Sequence, residues 1–173
     1  MASVYNEVEE DKVTQLMRSH GTALLRTCFV ILRDKHLAED AVQDTFIKAF
    51  RNIGRFEKHA EWSEKAWLLR IAVNICKDYQ RTKWFKHVDR RINPDDLPAT
   101  TEITIGEGSF ANLLHNLPRK YREVILLRYY HEQTVDEIVK ILGVPKSTVY
   151  SRLDKARRVI RSNLNGGTYN EAQ

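Results

Sequence analysis

The sequence predicts an all-α protein of two small helical domains joined by a flexible linker. Three observations carry that expectation. The 173 residues include only seven glycines and four prolines, and strand-like alternation is nearly absent. Apolar residues instead recur at helical spacing. Residues 92–108 read INPDDLPATTEITIGEG, with two prolines, two glycines, four acids, no basic residue and no helical period. The expected organisation is a first domain at 1–91, a linker at 92–108, a second domain at 109–165 and a frayed polar tail at 166–173.

Glu9 to Leu32 reads as a first helix, with Val13, Leu16, Met17, Leu24, Leu25, Cys28, Phe29 and Leu32 as its apolar positions. His20 and Gly21 interrupt its middle and predict a bend, and Asp34 to His36 is a polar break. A second helix, Leu37 to Ile53, is strongly amphipathic. Leu37, Ala38, Ala41, Val42, Phe46, Ala49, Phe50 and Ile53 form its inner stripe, and Glu39, Asp40, Gln43, Asp44, Lys48 and Arg51 its outer face. Asp40 and Asp44 stand four apart on that face, at a cost of roughly 0.2–0.5 kcal/mol in an isolated helix. Such an acidic knot points to a basic partner. The alternative is a solvated face on which Lys48 answers Asp44.

After a polar loop, Ser63 is placed to cap a third helix, with Trp62 and Trp67 as a hydrophobic staple. Trp67, Leu68, Ile71, Ala72, Ile75, Cys76 and Tyr79 would face inward. Arg70, Asn74, Lys77, Asp78 and Arg81 would face outward, followed by Lys83, Trp84, Phe85 and Lys86. Residues 65–91 hold eight basic residues and two acids, a net of +6. Basic side chains track phosphates, an asparagine can read a base edge, and aromatics can stack on unpaired bases. Trp67 and Tyr79 belong to the core stripe; Trp84 and Phe85 either stack on a base or cap the bundle end.

In the second domain, Phe110 to Asn116 and Arg119 to His131 form helices that meet at Leu117-Pro118. Tyr121, Val124, Ile125, Leu126 and Leu127 supply a core. Thr134 to Ala156 (TVDEIVKILGVPKSTVYSRLDKA) then reads as a helix-turn-helix. Thr134 and Glu137 make a capping box, and Val135, Ile138, Val139 and Leu142 an apolar stripe. Gly143 suits a left-handed helix end and Pro145 the first turn of the next helix, whose stripe is Val149, Leu153, Ala156, Ile160 and Leu164. An ordinary helical hairpin has the same spacing. Charge separates the two readings: residues 145–164 carry six basic residues and one acid, a net of +5 equal to that of the whole chain.

The same residues exclude other classes. Nothing approaches the ~20 consecutive apolar residues of a membrane span, so no membrane insertion is expected. The acidic start, MASVYNEVEEDK, lacks the order of a signal peptide, and a cytoplasmic protein is expected. Cys28 and Cys76 belong to no Cys-x-x-Cys pair and read as core thiols. The six histidines are scattered, and no Gly-rich phosphate loop occurs. No catalytic residue, metal or cofactor is expected.

Three stretches resemble the extracytoplasmic-function sigma factors of the sigma-70 family. AEDAVQDTFIKAF (38–50) resembles the helix that grips the clamp of core RNA polymerase. WLLRIAVNICKDYQR (67–81) is similar to the segment that recognises and opens the −10 element, matching at Trp67, Leu68, Arg70, Ile71, Ala72, Asn74, Asp78 and Arg81. Residues 117–157 resemble the domain that reads the −35 element and docks on the polymerase flap. The resemblance covers about residues 10–164. It implies a non-enzymatic initiation factor whose partners are core RNA polymerase, promoter DNA and an anti-sigma factor. Asp40, Gln43, Asp44 and Phe46 would bind the polymerase. Arg70, Asn74, Lys77, Asp78 and Arg81 would meet the −10 DNA, with the loop from Phe56 to Ser63 helping to hold a flipped base. Lys146, Ser147, Thr148, Tyr150, Ser151, Arg152 and Lys155 would meet the −35 DNA.

Two positions depart from the family pattern. Tyr150 stands where a basic residue is common, and Asp154 where a basic or aromatic one is. An aspartate repels phosphate but accepts from a cytosine amino group, which implies an atypical −35 sequence. Lys83 to Gly108 could span ~85 Å at ~3.3 Å per residue, enough for sites two DNA turns, or about 70 Å, apart. Two other readings compete: a conventional helix-turn-helix regulator with an effector or dimerisation domain at 1–91, and a nucleic-acid-processing enzyme. The latter would need clustered metal-binding acids, and Asp40 and Asp44 lack a third.

Overall fold

Helices end where the sequence supplies local stop and start signals, and the first unit shows this well. The computed structural model describes residues 2–56, 62–81, 114 and 117–164. It contains no strand among them, and the chain divides into two units, Met1–Leu97 and Pro98–Gln173. The first unit packs α1 (Ala2–Leu32), α2 (Lys35–Phe56) and α3 (Glu64–Arg81) against one another. Helix α1 starts before Glu9, because no glycine or proline stands between them, and its hydrogen-bonded run continues through His20 and Gly21. The polar break is shorter than expected. Arg33 turns left-handed (φ 58°), and its N–H donates to the Phe29 carbonyl at 2.7 Å. Asp34 then caps α2 at once, accepting from Leu37 N at 2.9 Å.

Leu16, Leu24, Leu32, Ile53, Leu68 and Leu69 fill the core. Ala38, Ala41, Ala49, Ala66 and Ala72, all buried, let the helix backbones approach closely. Two buried threonines satisfy their hydroxyls within their own helices, Thr27 on Ala23 O at 2.8 Å and Thr45 on Ala41 O at 2.6 Å. Cys28 and Cys76 are both buried, as expected of core thiols. Met17 is 49% exposed, because it lies one residue past the buried row of Val13, Leu16, Leu24, Cys28 and Ile31. Trp67, Ile71 and Tyr79 are only half-buried, while Leu69 and Val73 are fully inside. The reason is that α3 packs on both α1 and α2, which covers its two flanks and leaves these three residues on the rim.

In the second unit Pro118 precedes α4 (Arg119–Ile125), its carbonyl accepting from Tyr121 N and Arg122 N at 3.0 Å each. The expected helix to His131 instead widens into a π turn at Leu126–Tyr130, with His131 N on Leu126 O at 3.0 Å. Tyr121, Val124, Ile125, Leu126 and Leu127 are buried as expected. Arg122 and Glu123 are buried too, with Arg122 donating to Leu117 O at 2.8 Å and Arg119 3.2 Å from Glu123. Helix α5 (Val135–Leu142) opens on the full capping box: Glu137 N donates to Thr134 Oγ1 at 3.2 Å, and Thr134 N to Glu137 Oε2 at 2.8 Å. Gly143 closes it at φ 66°. Pro145 sits just before α6 (Lys146–Leu164) and accepts from Val149 N at 3.1 Å. Ile138, Ile141, Leu142, Val149, Leu153, Ala156 and Val159 are buried between these helices and α4.

The expected helix at 110–116 lies outside the described residues except for Leu114, which is buried. The linker at 92–108, the tail at 166–173, and Lys83, Trp84, Phe85 and Lys86 lie outside them entirely.

Candidate nucleic-acid and partner interfaces

Three charged faces stand out on the described residues, two in the first unit and one in the second. On α2, Asp40, Gln43 and Asp44 are exposed along one row, and Ile47 continues it one turn on at 48% exposure. Phe46 does not join them. It is 6% exposed and points into the core, because its position on the 3.6-residue turn places it with Ala38, Ala49 and Ile53. Its place on the inner stripe is as periodicity predicts, and the direct polymerase contact that the resemblance implies for it is corrected to packing behind the exposed row. Asp44 is met by Tyr79 of α3, whose hydroxyl donates to Asp44 Oδ2 at 2.7 Å. Burial of the phenol, then this hydrogen bond and the charges of Asp44 and Asp40, push the Tyr79 pKa up. The adjacent Gln80 donates to Ile31 O at 3.1 Å, so consecutive residues tie the end of α3 to α2 and α1.

The outward row of α3 is as expected: Arg70, Asn74, Asp78 and Arg81 are exposed and Lys77 half-buried. Asp78 lies 3.9 Å from Arg81. Ser63 caps the helix through Ala66 N at 3.1 Å. Trp67 does not serve chiefly as a staple. It stacks on Phe56 with centroids 4.3 Å apart, while the Arg70 guanidinium lies 5.3 Å over Trp62. These aromatic rings floor an open groove of about 510 Å³. Arg70 and Asn74 wall one side; Lys48, Asn52 and Arg55 of α2 wall the other. Sequence reasoning missed the second wall, although Lys48, Asn52 and Arg55 recur at helical spacing. Residues 57–61 of the loop expected to hold a flipped base lie outside the described residues.

On α6, Ser147, Thr148, Ser151, Arg152 and Lys155 line a second open groove of about 420 Å³. Lys120 and Tyr121 of α4 complete it, with Lys120 Nζ 4.9 Å over the Tyr121 ring. Lys120 went unnoticed because its own helix carries no helix-turn-helix signature. Lys146 and Tyr150 stand one turn apart on the flank beside this groove. Tyr150 is 54% exposed, and Lys146 pairs with Asp136 of α5 at 2.8 Å, which raises the lysine pKa. Asp154 is held by Arg158 at 2.9 Å. Arg157 Nε donates to the hydroxyl of Tyr129 at 3.0 Å. Among the described residues no three His, Cys, Asp or Glu side chains gather as a metal site, and no helix is long and apolar enough to cross a membrane.

Comparison with known proteins gives these faces a context. Residues 16–86 match Sigma-70 region 2 and residues 108–160 match Sigma-70 region 4. The ECF RNA polymerase sigma factor SigL of Mycobacterium tuberculosis is 30% identical over 157 residues, 86% of each chain. The chain belongs to the ECF sigma factors of the sigma-70 family. SigW of Bacillus subtilis is 28% identical to this sigma factor over 174 residues, 90% of each chain. Two solved structures share its fold at 24% identity. RpoE of Bartonella quintana, crystallised with the anti-sigma factor NepR, has a TM-score of 0.69 over 88% of this chain and 96% of that one. CnrH, in complex with the cytosolic domain of CnrY, has a TM-score of 0.66 over 96% of each. The protein is thus an RNA polymerase sigma factor that initiates transcription. The conventional-regulator reading is not favoured, because the stretch it treats as an effector domain is sigma region 2.

Proposed function

We propose that this sigma factor divides its work among its three faces, with region 2 at 1–91, a linker at 92–108 and region 4 at 109–165. The supporting observation is the separation of charge: one exposed acidic row and two basic grooves. An acidic row repels phosphate and suits a basic protein surface, so Asp40, Gln43 and Asp44 meet the clamp of core polymerase, with Ile47 extending the contact. The groove between α2 and α3 has the cations and aromatic floor that a separated strand requires, and Arg70, Asn74, Lys77, Asp78 and Arg81 engage the −10 element there. The α6 groove receives the −35 duplex, with Ser147, Thr148, Ser151, Arg152 and Lys155 facing DNA and Lys146 and Tyr150 at its flank. The factor works in the cytoplasm, carries no catalysis of its own and is held inactive by an anti-sigma factor. The RpoE–NepR complex of a fold relative supports that last point.

The assignment of the acidic face is tested with Asp40→Arg combined with Asp44→Arg. Affinity for purified core polymerase should fall at least tenfold while far-UV circular dichroism is unchanged. Undiminished affinity would refute the clamp assignment. Adding the unmodified chain to core polymerase and a promoter library should yield specific transcripts.

A further inference from the structure

A carboxylate on an exposed helix face is free to sample several rotamers, and a second carboxylate one turn away drives it outward. Asp44 is in that situation beside Asp40, yet a hydrogen bond of 2.7 Å from Tyr79 restrains it. The donor is well anchored. The Tyr79 ring is half-buried on α3, and Gln80, the next residue, is tied to Ile31 O. The bond also spans two helices, 35 residues apart in sequence, so it fixes Asp44 relative to the bundle and not merely to its own turn.

The chemistry of the donor matters. A lysine partner would cancel the aspartate charge within the chain, whereas a phenol donates one hydrogen bond and leaves the charge in place. A phenol is protonated at neutral pH, and burial together with the neighbouring carboxylates shifts it further in that direction. An ionised carboxylate has two oxygens and about four acceptor sites, so one phenol leaves room for an incoming cation.

We propose that Tyr79 is a positioning residue for polymerase binding, holding the Asp44 carboxylate oriented for a basic side chain of the core enzyme. The proposal rests on the clamp assignment of the acidic face. Ordering Asp44 beforehand removes part of the entropy cost of forming the contact. Tyr79 lies between Asp78 and Arg81, so the same bond ties the −10 row to the polymerase face.

The test is a double-mutant cycle with the full chain and purified core polymerase, using Tyr79→Phe, Asp44→Asn and the double variant. Tyr79→Phe keeps the ring and removes only the donor. It should weaken binding roughly three- to tenfold. In the Asp44→Asn background, where the amide oxygen still accepts from the phenol but no charge remains to be oriented, it should cost distinctly less. The salt dependence separates the roles: its slope should be retained in Tyr79→Phe, which keeps the charge, and become shallower in Asp44→Asn. Unchanged or tighter binding by Tyr79→Phe overturns the proposal. So does an equal loss in both backgrounds, because that marks a packing role. If Asp44→Asn alone leaves affinity and salt slope unchanged, the clamp assignment itself fails, and that result is distinct from a failure of Tyr79.

Discussion

Glu132 carries a conformational cost that its neighbours explain. At φ 57° it is left-handed, a state that costs a non-glycine residue roughly 1–2 kcal/mol. It sits where the chain leaves the π turn, between His131 N on Leu126 O and Gln133 N on Leu127 O, bonds of 3.0 and 2.9 Å. These bonds hold the backbone in place despite the residue. Glu132→Gly should therefore stabilise the protein by about 0.5–1 kcal/mol, after allowing for the extra freedom of glycine in the unfolded chain. The denaturant midpoint measures it. Single-residue features of this local kind were legible where the signal lay within four residues. Ser63, Thr134, Glu137 and Gly143 all act as their types and spacing predict. Phe46 is buried as its place on the inner stripe predicts, whereas Met17 was not legible in the same way, because an apolar residue near the edge of a stripe goes in or out according to which neighbouring helix covers it.

Among the elements, α5 shows how a local bond serves a distant face. Its capping box fixes where the helix begins, and Ile138, Ile141 and Leu142 then present a buried face to α6. Thr134→Ala removes the side-chain acceptor for Glu137 N and should cost about 1 kcal/mol of stability, measurable by thermal unfolding. The residues proposed to meet −35 DNA are untouched in this variant, so DNA affinity at low temperature should change little. The α4 segment teaches the opposite lesson. Its apolar period ran on to His131, yet the backbone widens after Ile125, and Leu126 and Leu127 remain buried within the π turn. A π turn adds one residue to a helical turn without erasing the periodic pattern, so periodicity alone does not reveal it.

Across the whole molecule a net charge of only +5 conceals strong segregation. The helix that carries Asp40 and Asp44 also carries Lys48 and Arg55, which face the aromatic-floored groove, so opposite signs share one element. Segregation of this kind makes DNA binding depend on salt through a few cations. Arg152→Ala should cost about 1–3 kcal/mol at one −35 position if the guanidinium reads a base edge. Lys155→Ala should weaken binding to all sequences and lower the salt slope by about 1 if it meets phosphate. Affinities measured on a promoter library at several salt concentrations distinguish the two.

The sequence by itself determined the helical class, most helix ends, the helix-turn-helix, the basic and acidic rows and, through family motifs, the kind of protein. Each of these follows from short-range periodicity, capping or charge. Tertiary structure alone decided that Tyr79 reaches Asp44, that Lys48, Asn52 and Arg55 join Arg70 and Asn74 around one groove, and that Lys120 joins the α6 groove. Those facts depend on which helix flank meets which, and that is set by packing between residues far apart in the chain.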